Sequence, residues 1–96
     1  MQERRRKIDE IDGQIVRLLN RRAAEVKEVA QIKAAAGLPL VDERRESEVY
    51  RRVAEENFGQ IETESLLRIF KSIVSESRRL QLQTLNDVAD KGESVR

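Results

Sequence analysis

The sequence contains no cysteine and no histidine, a single proline, and aromatic residues at only 3%. Each shortage narrows the chemistry. Without Cys or His there is no thiolate nucleophile, no disulfide, no imidazole general base and no ordinary zinc site. The scarcity of aromatics removes the stacking platforms on which single-stranded nucleic acids are bound. Net charge is +1 although 39% of the residues are charged. The charges therefore interleave, and the basic excess of a general nucleic-acid binder is missing. No apolar run approaches the roughly 20 residues of a membrane span, and no secretory signal is visible. A soluble, cytoplasmic protein is expected, working without metal or cofactor. Its chemistry must come from Arg, Lys, Glu, Asp, Ser, Gln or the backbone.

What the chain does have is helical periodicity. Ile8, Ile11, Ile15, Leu18, Leu19, Val26, Val29 and Ile32 recur at threes and fours, among Arg, Glu, Lys, Gln and Ala, which favour helix. Residues 4–36 read as one helix, with Gly13 its weak point. Such a rod would be about 50 Å long. A compact chain of this length is roughly 30 Å across. The helix should overhang its own domain and need a second chain to cover its apolar stripe, most simply as a two-fold homodimer. Gly37-Leu38-Pro39 ends it. Asp42 is a suitable N-cap for a second helix running to Glu56, with Val49, Tyr50 and Val53 as its apolar face. Asn57-Phe58-Gly59 is a break, and Thr63 is a plausible cap for a third helix. The third stripe is Leu66, Leu67, Phe70, Ile73, Val74, Ser77, Leu80 and Gln81, extending toward Leu85 and Val88. The expected architecture is all-α, three helices in the order long, short, long. The domain spans 1–88, followed by a polar, disordered tail over 89–96, which also suits a linker.

Two helical stripes carry polar groups where apolar ones are expected. Arg22 falls in step with Ile8, Ile15 and Val29 at intervals of seven. Lys33, eleven residues on, points almost the same way, roughly 16 Å along the axis. Cations on a buried stripe are costly unless an anion meets them. They therefore mark either a pocket for an anionic ligand or snorkelling side chains with their heads in water. Ser77 and Gln81 lie one turn apart on the third stripe and must find hydrogen-bond partners, in a neighbouring helix or in that same ligand. Asp42, Arg45 and Glu46 share the first turn of the second helix. They read either as a cap with solvated charge pairs or, because the loop folds back, as a group near Lys33. Arg5 lies about 25 Å from Arg22 along one helix. It can join a small site with Arg22 only from a partner subunit; otherwise it belongs to an exposed basic start, Arg4-Arg5-Arg6-Lys7.

In order and spacing, these residues resemble the all-helical, type II chorismate mutases of shikimate metabolism. The likeness covers residues 4 to about 82. Arg5-x-x-Ile8-Asp9-x-Ile11-Asp12-x-x-Ile15-x-x-Leu18-Leu19-x-x-Arg22 looks like the family's first-helix signature. Lys33, Pro39, Asp42, Arg45 and Glu46 continue in its spacing. Ile69-Phe70-x-x-Ile73-x-x-Glu76-Ser77-x-x-x-Gln81 resembles its third-helix signature. The resemblance implies a homodimer in which each site is completed by the partner's first helix. It implies conversion of chorismate to prephenate, in phenylalanine and tyrosine biosynthesis, by an intramolecular Claisen-type rearrangement. It further implies that Arg22 and the partner's Arg5 grip carboxylates, that Lys33 and Gln81 meet the ether oxygen, and that Ser77 binds a carboxylate. Glu46 would accept from the ring hydroxyl with the backbone near Asp42 alongside, and Arg45 would orient that acidic pair. Two other readings are open at this point: an isochorismate-pyruvate lyase on the same scaffold, and a non-enzymatic helical dimerisation module.

Overall fold

The computed structural model describes the backbone of residues 1–94 and the side chains of residues 1–87. It holds three helices, α1 (Gln2–Ala36), α2 (Glu43–Glu56) and α3 (Thr63–Ser94), with no strand among the described residues. α1 carries Glu3 in its first turn and Lys33 in its last, each placed to suit the helix dipole. It stops at Gly37, whose φ of 69° is left-handed. The Leu38 amide donates to the Lys33 carbonyl at 2.8 Å and the Gly37 amide to the Ala34 carbonyl at 3.3 Å. This is the paired closure that a glycine in that conformation allows. Asp42 caps α2, its carboxylate accepting from the Arg45 amide at 3.1 Å.

The start of α3 differs by one residue from the expectation. Thr63 is its first helical residue, because the Glu62 carbonyl already accepts from the Leu66 amide at 3.0 Å. The Thr63 hydroxyl is engaged from outside the helix. Asn57 donates to it at 3.0 Å and to the Ile61 carbonyl at 2.9 Å, while the Gly59 amide donates back to the Asn57 side-chain oxygen at 3.3 Å. One amide side chain thus closes the whole α2–α3 loop. At the far end, the backbone stays helical through Ser94, where the sequence reading expects a tail over 89–96. Val95 and Arg96, and the side chains from Val88 onward, lie outside the described residues.

α3 is the shared element: α1 and α2 both pack against it, and not against each other. The chain is long and thin, 60 × 30 × 15 Å, with a Cα radius of gyration of 17.0 Å. A compact domain of this size would have about 12–13 Å. The core is correspondingly small. Among the described residues Ala30, Val74 and Thr84 are buried. Thr84 satisfies its hydroxyl by donating to the Leu80 carbonyl at 2.8 Å. By contrast Ile8, Ile11, Ile15, Leu18 and Leu19 of α1 are 40–57% exposed, a contiguous apolar face within one chain. No helix among the described residues is long and apolar enough to cross a membrane.

The two glycines of α1 and its cap should respond oppositely to alanine. At Gly13 a methyl group would meet the tip of the flexible Arg17 side chain at 3.3 Å, and φ is helical, so Gly13→Ala should raise stability by up to about 1 kcal/mol. Gly37→Ala puts a side chain on a left-handed residue and should lower stability by about 1 kcal/mol or more. Urea denaturation of both variants at one protein concentration checks the signs.

Candidate active site

A cleft of about 250 Å³ lies where the C-terminal half of α1, the loop before α2, the first turns of α2 and the middle of α3 converge. Arg22, Lys33, Asp42, Arg45, Glu46, Ser77 and Gln81 all line it. Seven of the eight residues singled out from the sequence therefore face one space. Local structure explains this. Arg22 and Lys33 are three helical turns apart, which puts them on one side of α1. The Gly37 turn folds the chain back, so that Asp42 and Glu46 open α2 beside Lys33. Ser77 and Gln81, one turn apart on α3, supply the opposite wall. The walls between the polar groups are Val26, Val29, Leu40, Val49 and Val74.

Both α1 cations are half-buried, and both are held by neutral oxygens. Arg22 donates through Nη1 to the Ser77 hydroxyl, which itself donates to the Ile73 carbonyl at 2.9 Å. Lys33 Nζ donates to the Leu40 carbonyl at 3.1 Å. Among the described residues neither cation forms an ion pair. Both side chains line the cleft, each tied by a hydrogen bond and outside any ion pair among the described residues, which favours the anion-pocket opening of the two left by the sequence. Ser77 takes the inter-helix bond that its position required and remains at the cleft wall.

The acidic side of the cleft departs from expectation in one respect. The Arg45 guanidinium reaches Glu48 at 3.6 Å, not Glu46; its backbone amide is what binds Asp42. The reason is spacing: residues three apart on a helix are neighbours, and the pair forms within α2. Glu46 is instead gripped from α3. Arg78 donates through Nε to Glu46 Oε2 at 2.7 Å and through Nη2 to Oε1, a two-pronged fork. The hydrogen bond to Glu46 raises the Arg78 pKa above its ordinary value, against a smaller opposing effect of burial. Sequence reasoning missed Arg78, because an arginine in a helix full of charges reads as a solvated residue. Four cationic side chains, Arg22, Lys33, Arg45 and Arg78, face three anionic ones, Glu25, Asp42 and Glu46. The cleft thus carries a surplus of positive charge.

Arg5 is absent from the lining and stands exposed on the overhanging part of α1. A second groove, about 390 Å³, runs beside the first between α1 and α3. Leu19, Ala23, Ile73 and Leu80 contribute its apolar lining, and Glu76, Arg79 and Gln83 contribute polar groups. Arg22 and Ser77 line both spaces. They form the wall between them.

Three helices that converge cations on one small cleft define an all-α protein for a small anionic molecule. The comparisons with known proteins make this specific. The family model for chorismate mutase type II matches residues 4–82. The chain is 33% identical to the chorismate mutase of Methanocaldococcus jannaschii over 95% of this chain and 93% of that protein. It is 37% identical to the bifunctional chorismate mutase/prephenate dehydratase of Aquifex aeolicus over 78% of this chain, but spans only 22% of that larger protein. In three dimensions it superposes on chorismate mutase (Form II) from Thermus thermophilus with a TM-score of 0.81 and 32% identity, covering 83% of this chain and 91% of that one. The chain belongs to the type II chorismate mutases, and the mutase reading of the sequence stands over the lyase and the non-enzymatic module.

Cations without counter-charges should respond to a ligand that supplies them. A dicarboxylate resembling the compact transition state should raise the melting temperature by several degrees at saturating concentration, since binding to the folded state alone stabilises it by mass action. A neutral analogue of the same shape should shift it far less. Thermal melts with both compounds measure the difference.

Proposed function

We propose that the cleft lined by Arg22, Lys33, Glu46, Ser77 and Gln81 is the site where chorismate is rearranged to prephenate, and that a homodimer completes it. The observation that carries this reading is the pair of half-buried α1 cations, bonded to neutral oxygens and aimed into one cleft. The reaction breaks an ether C–O bond and forms a C–C bond within one molecule. It transfers no proton to or from the protein and needs no nucleophile. A chain without Cys or His loses nothing by that. What it must supply is restraint and electrostatics.

Restraint comes from the carboxylate clamps. Holding the enolpyruvyl arm over the ring recovers part of the orientation cost of the reaction. Arg22 takes one carboxylate with Ser77 beside it, and Arg5 of the partner chain takes part in the grip, since guanidinium forks match carboxylate geometry. Glu46 accepts from the ring hydroxyl, with the first turn of α2 near Asp42 alongside and Arg45 adding positive potential. Electrostatic stabilisation comes from Lys33 and Gln81. As the ether bond lengthens, negative charge grows on its oxygen. Donors already aimed there bind the transition state more strongly than the substrate, which is the condition for catalysis.

The trans role of Arg5 is supported by the exposed apolar face of α1 and by the second groove. A partner α1 laid antiparallel along Leu19, Ala23, Ile73 and Leu80 would cover that face. It would also bring its basic start, Arg4-Arg5-Arg6-Lys7, to the wall formed by Arg22 and Ser77, past the acidic Glu76. In this reading the enzyme works in the cytoplasm.

Two experiments test the assignment. Loss of chorismate absorbance should slow about a hundredfold or more for Lys33→Ala or Gln81→Ala, each equivalent to roughly 3 kcal/mol, with folding intact by circular dichroism. Rates within threefold of the parent would remove those residues from the site. For the trans role, Arg5→Ala and Lys33→Ala homodimers are each made and then mixed with subunit exchange. Heterodimers regain one intact site of two, so the mixture should recover about a quarter of the parent activity. No recovery, despite proven exchange, would place Arg5 in its own chain's site, and an Arg5→Ala homodimer with the parent's activity would place it in none.

A further inference from the structure

We infer that Arg78 is a positioning residue for the mutase reaction: its fork holds the Glu46 carboxylate in the plane and at the height at which it accepts from the substrate's ring hydroxyl. The inference rests on the proposed contact between Glu46 and that hydroxyl, and goes beyond it to what aims the acceptor.

The argument begins with α2. This helix has no buried residue, so apolar packing alone fixes its place on α3 weakly. Yet α2 carries Asp42, Arg45 and Glu46 into the cleft. The Glu46–Arg78 pair is the salt bridge that crosses from α2 to α3 among the described residues; the others join residues three or four apart on one helix. It is also the least exposed: the Glu46 side chain retains 19% of its accessibility and Arg78 44%. An exposed pair within a helix contributes little, because two flexible chains must be ordered for a screened attraction. A two-pronged fork to a largely covered carboxylate is different in kind. It fixes the plane of the carboxylate as well as its position.

The second step is chemical. Each carboxylate oxygen has two acceptor positions. Arg78 occupies one on each oxygen, through Nε and Nη2, and leaves the others for a donor entering the cleft. A carboxylate held only by its own flexible chain would rotate among orientations, and the ring hydroxyl would have to select one. The fork removes that freedom before substrate arrives. Among the described residues no other cation does so. Arg45, the candidate named from the sequence, is engaged with Glu48. Arg78 also lines the cleft beside Gln81, so a change at Arg78 reaches the site.

Charge and geometry are separable here, and this gives the test. Kinetics are measured on the intact enzyme for Arg78→Met, which keeps a long apolar stem, and for Arg78→Lys, which keeps the charge but not the fork. Each is made alone and with Glu46→Ala, with melting temperatures followed throughout. Arg51→Met, which breaks an exposed pair with Glu55 within α2, is the control for loss of a positive charge. Arg78→Met should lower kcat/KM roughly ten- to a hundredfold, with the same division between kcat and KM as Glu46→Ala. Arg78→Lys should recover less than a third of the loss on a logarithmic scale. With Glu46→Ala already present, Arg78→Met should cost less than about threefold more, because its target is gone. Losses that multiply in the double variant, or full recovery in Arg78→Lys, would overturn the inference and leave Arg78 as a source of charge. A Glu46→Ala enzyme with the parent's rate is a separate outcome: it would refute the hydroxyl contact itself, and the role of Arg78 with it. If Arg78→Met fails to fold, Arg78→Lys against Glu46→Ala decides alone: a loss divided between kcat and KM as in Glu46→Ala supports the inference, and a different division, or the parent's rate, refutes it.

Discussion

The bond from the Arg22 guanidinium to the Ser77 hydroxyl is the contact on which the arrangement turns. It joins α1 to α3 at the wall shared by the two grooves. Being a bond to a neutral oxygen, it orients the cation without cancelling its charge. A carboxylate at position 77 would hold Arg22 more strongly, and would leave nothing for a ligand's carboxylate to gain. The same logic holds for Lys33, tied to the Leu40 carbonyl. Fixed donors with unspent charge are what a site needs if it is to stabilise charge that appears only as a bond breaks. In the proposed site the cost of half-burying two cations is offset when ligand binds, which links affinity to fold stability through the same groups.

The second constraint is shape. A 35-residue helix on a 96-residue chain has more apolar length than its own chain can cover. α3 runs beside one part of it, and α2 packs on α3. The stretch 8–19 is left to another surface. In the proposed dimer this same stretch both provides association energy and delivers Arg5, so assembly and active-site completion are one event. Dilution below the dimer's dissociation constant would then remove activity and structure together, unlike an enzyme whose subunits each hold a full site.

Much of this was legible in the sequence, for identifiable reasons. Helix limits followed from Gly37, Asp42 and the periodic stripes, signals that act within a turn or two of the chain. Arg22, Lys33, Ser77 and Gln81 stood out because each interrupts an apolar stripe, and an interruption shows in the pattern without knowledge of the fold. Arg78 does not interrupt anything. It sits among Glu76, Ser77 and Arg79 on a charged stretch, and its partner Glu46 is 32 residues away. Only the packing of α2 on α3 brings them together. Arg45 shows the same limit: the resemblance implies that it orients Asp42 and Glu46, while its guanidinium meets Glu48 one turn on, and Glu46 is held by a residue on another helix. Asn57 is a third case. It read as part of a break, while its side chain in fact organises the loop through Ile61, Thr63 and Gly59.

The acidic groups in an otherwise cationic cleft are explained by the same physics. A site of cations alone would bind a dicarboxylate tightly in any pose, and uniform affinity does nothing for the rate. Glu46 makes binding conditional: a carboxylate placed against it is repelled, whereas a hydroxyl donor is accepted. In the proposed site, substrate orientation is thereby fixed from both ends, by attraction at Arg22 and Lys33 and by exclusion at Glu46. Exclusion works only if the repelling group cannot swing aside, and Glu46 sits on a helix with no buried residue of its own. The grip of Arg78 across the helix boundary gives that group its fixity. The Arg78 charge also offsets that of Glu46 at longer range, so that the cleft keeps its surplus of positive charge. In the proposed site, a single guanidinium thus lets one carboxylate discriminate locally without removing the surplus positive charge that favours a dianion.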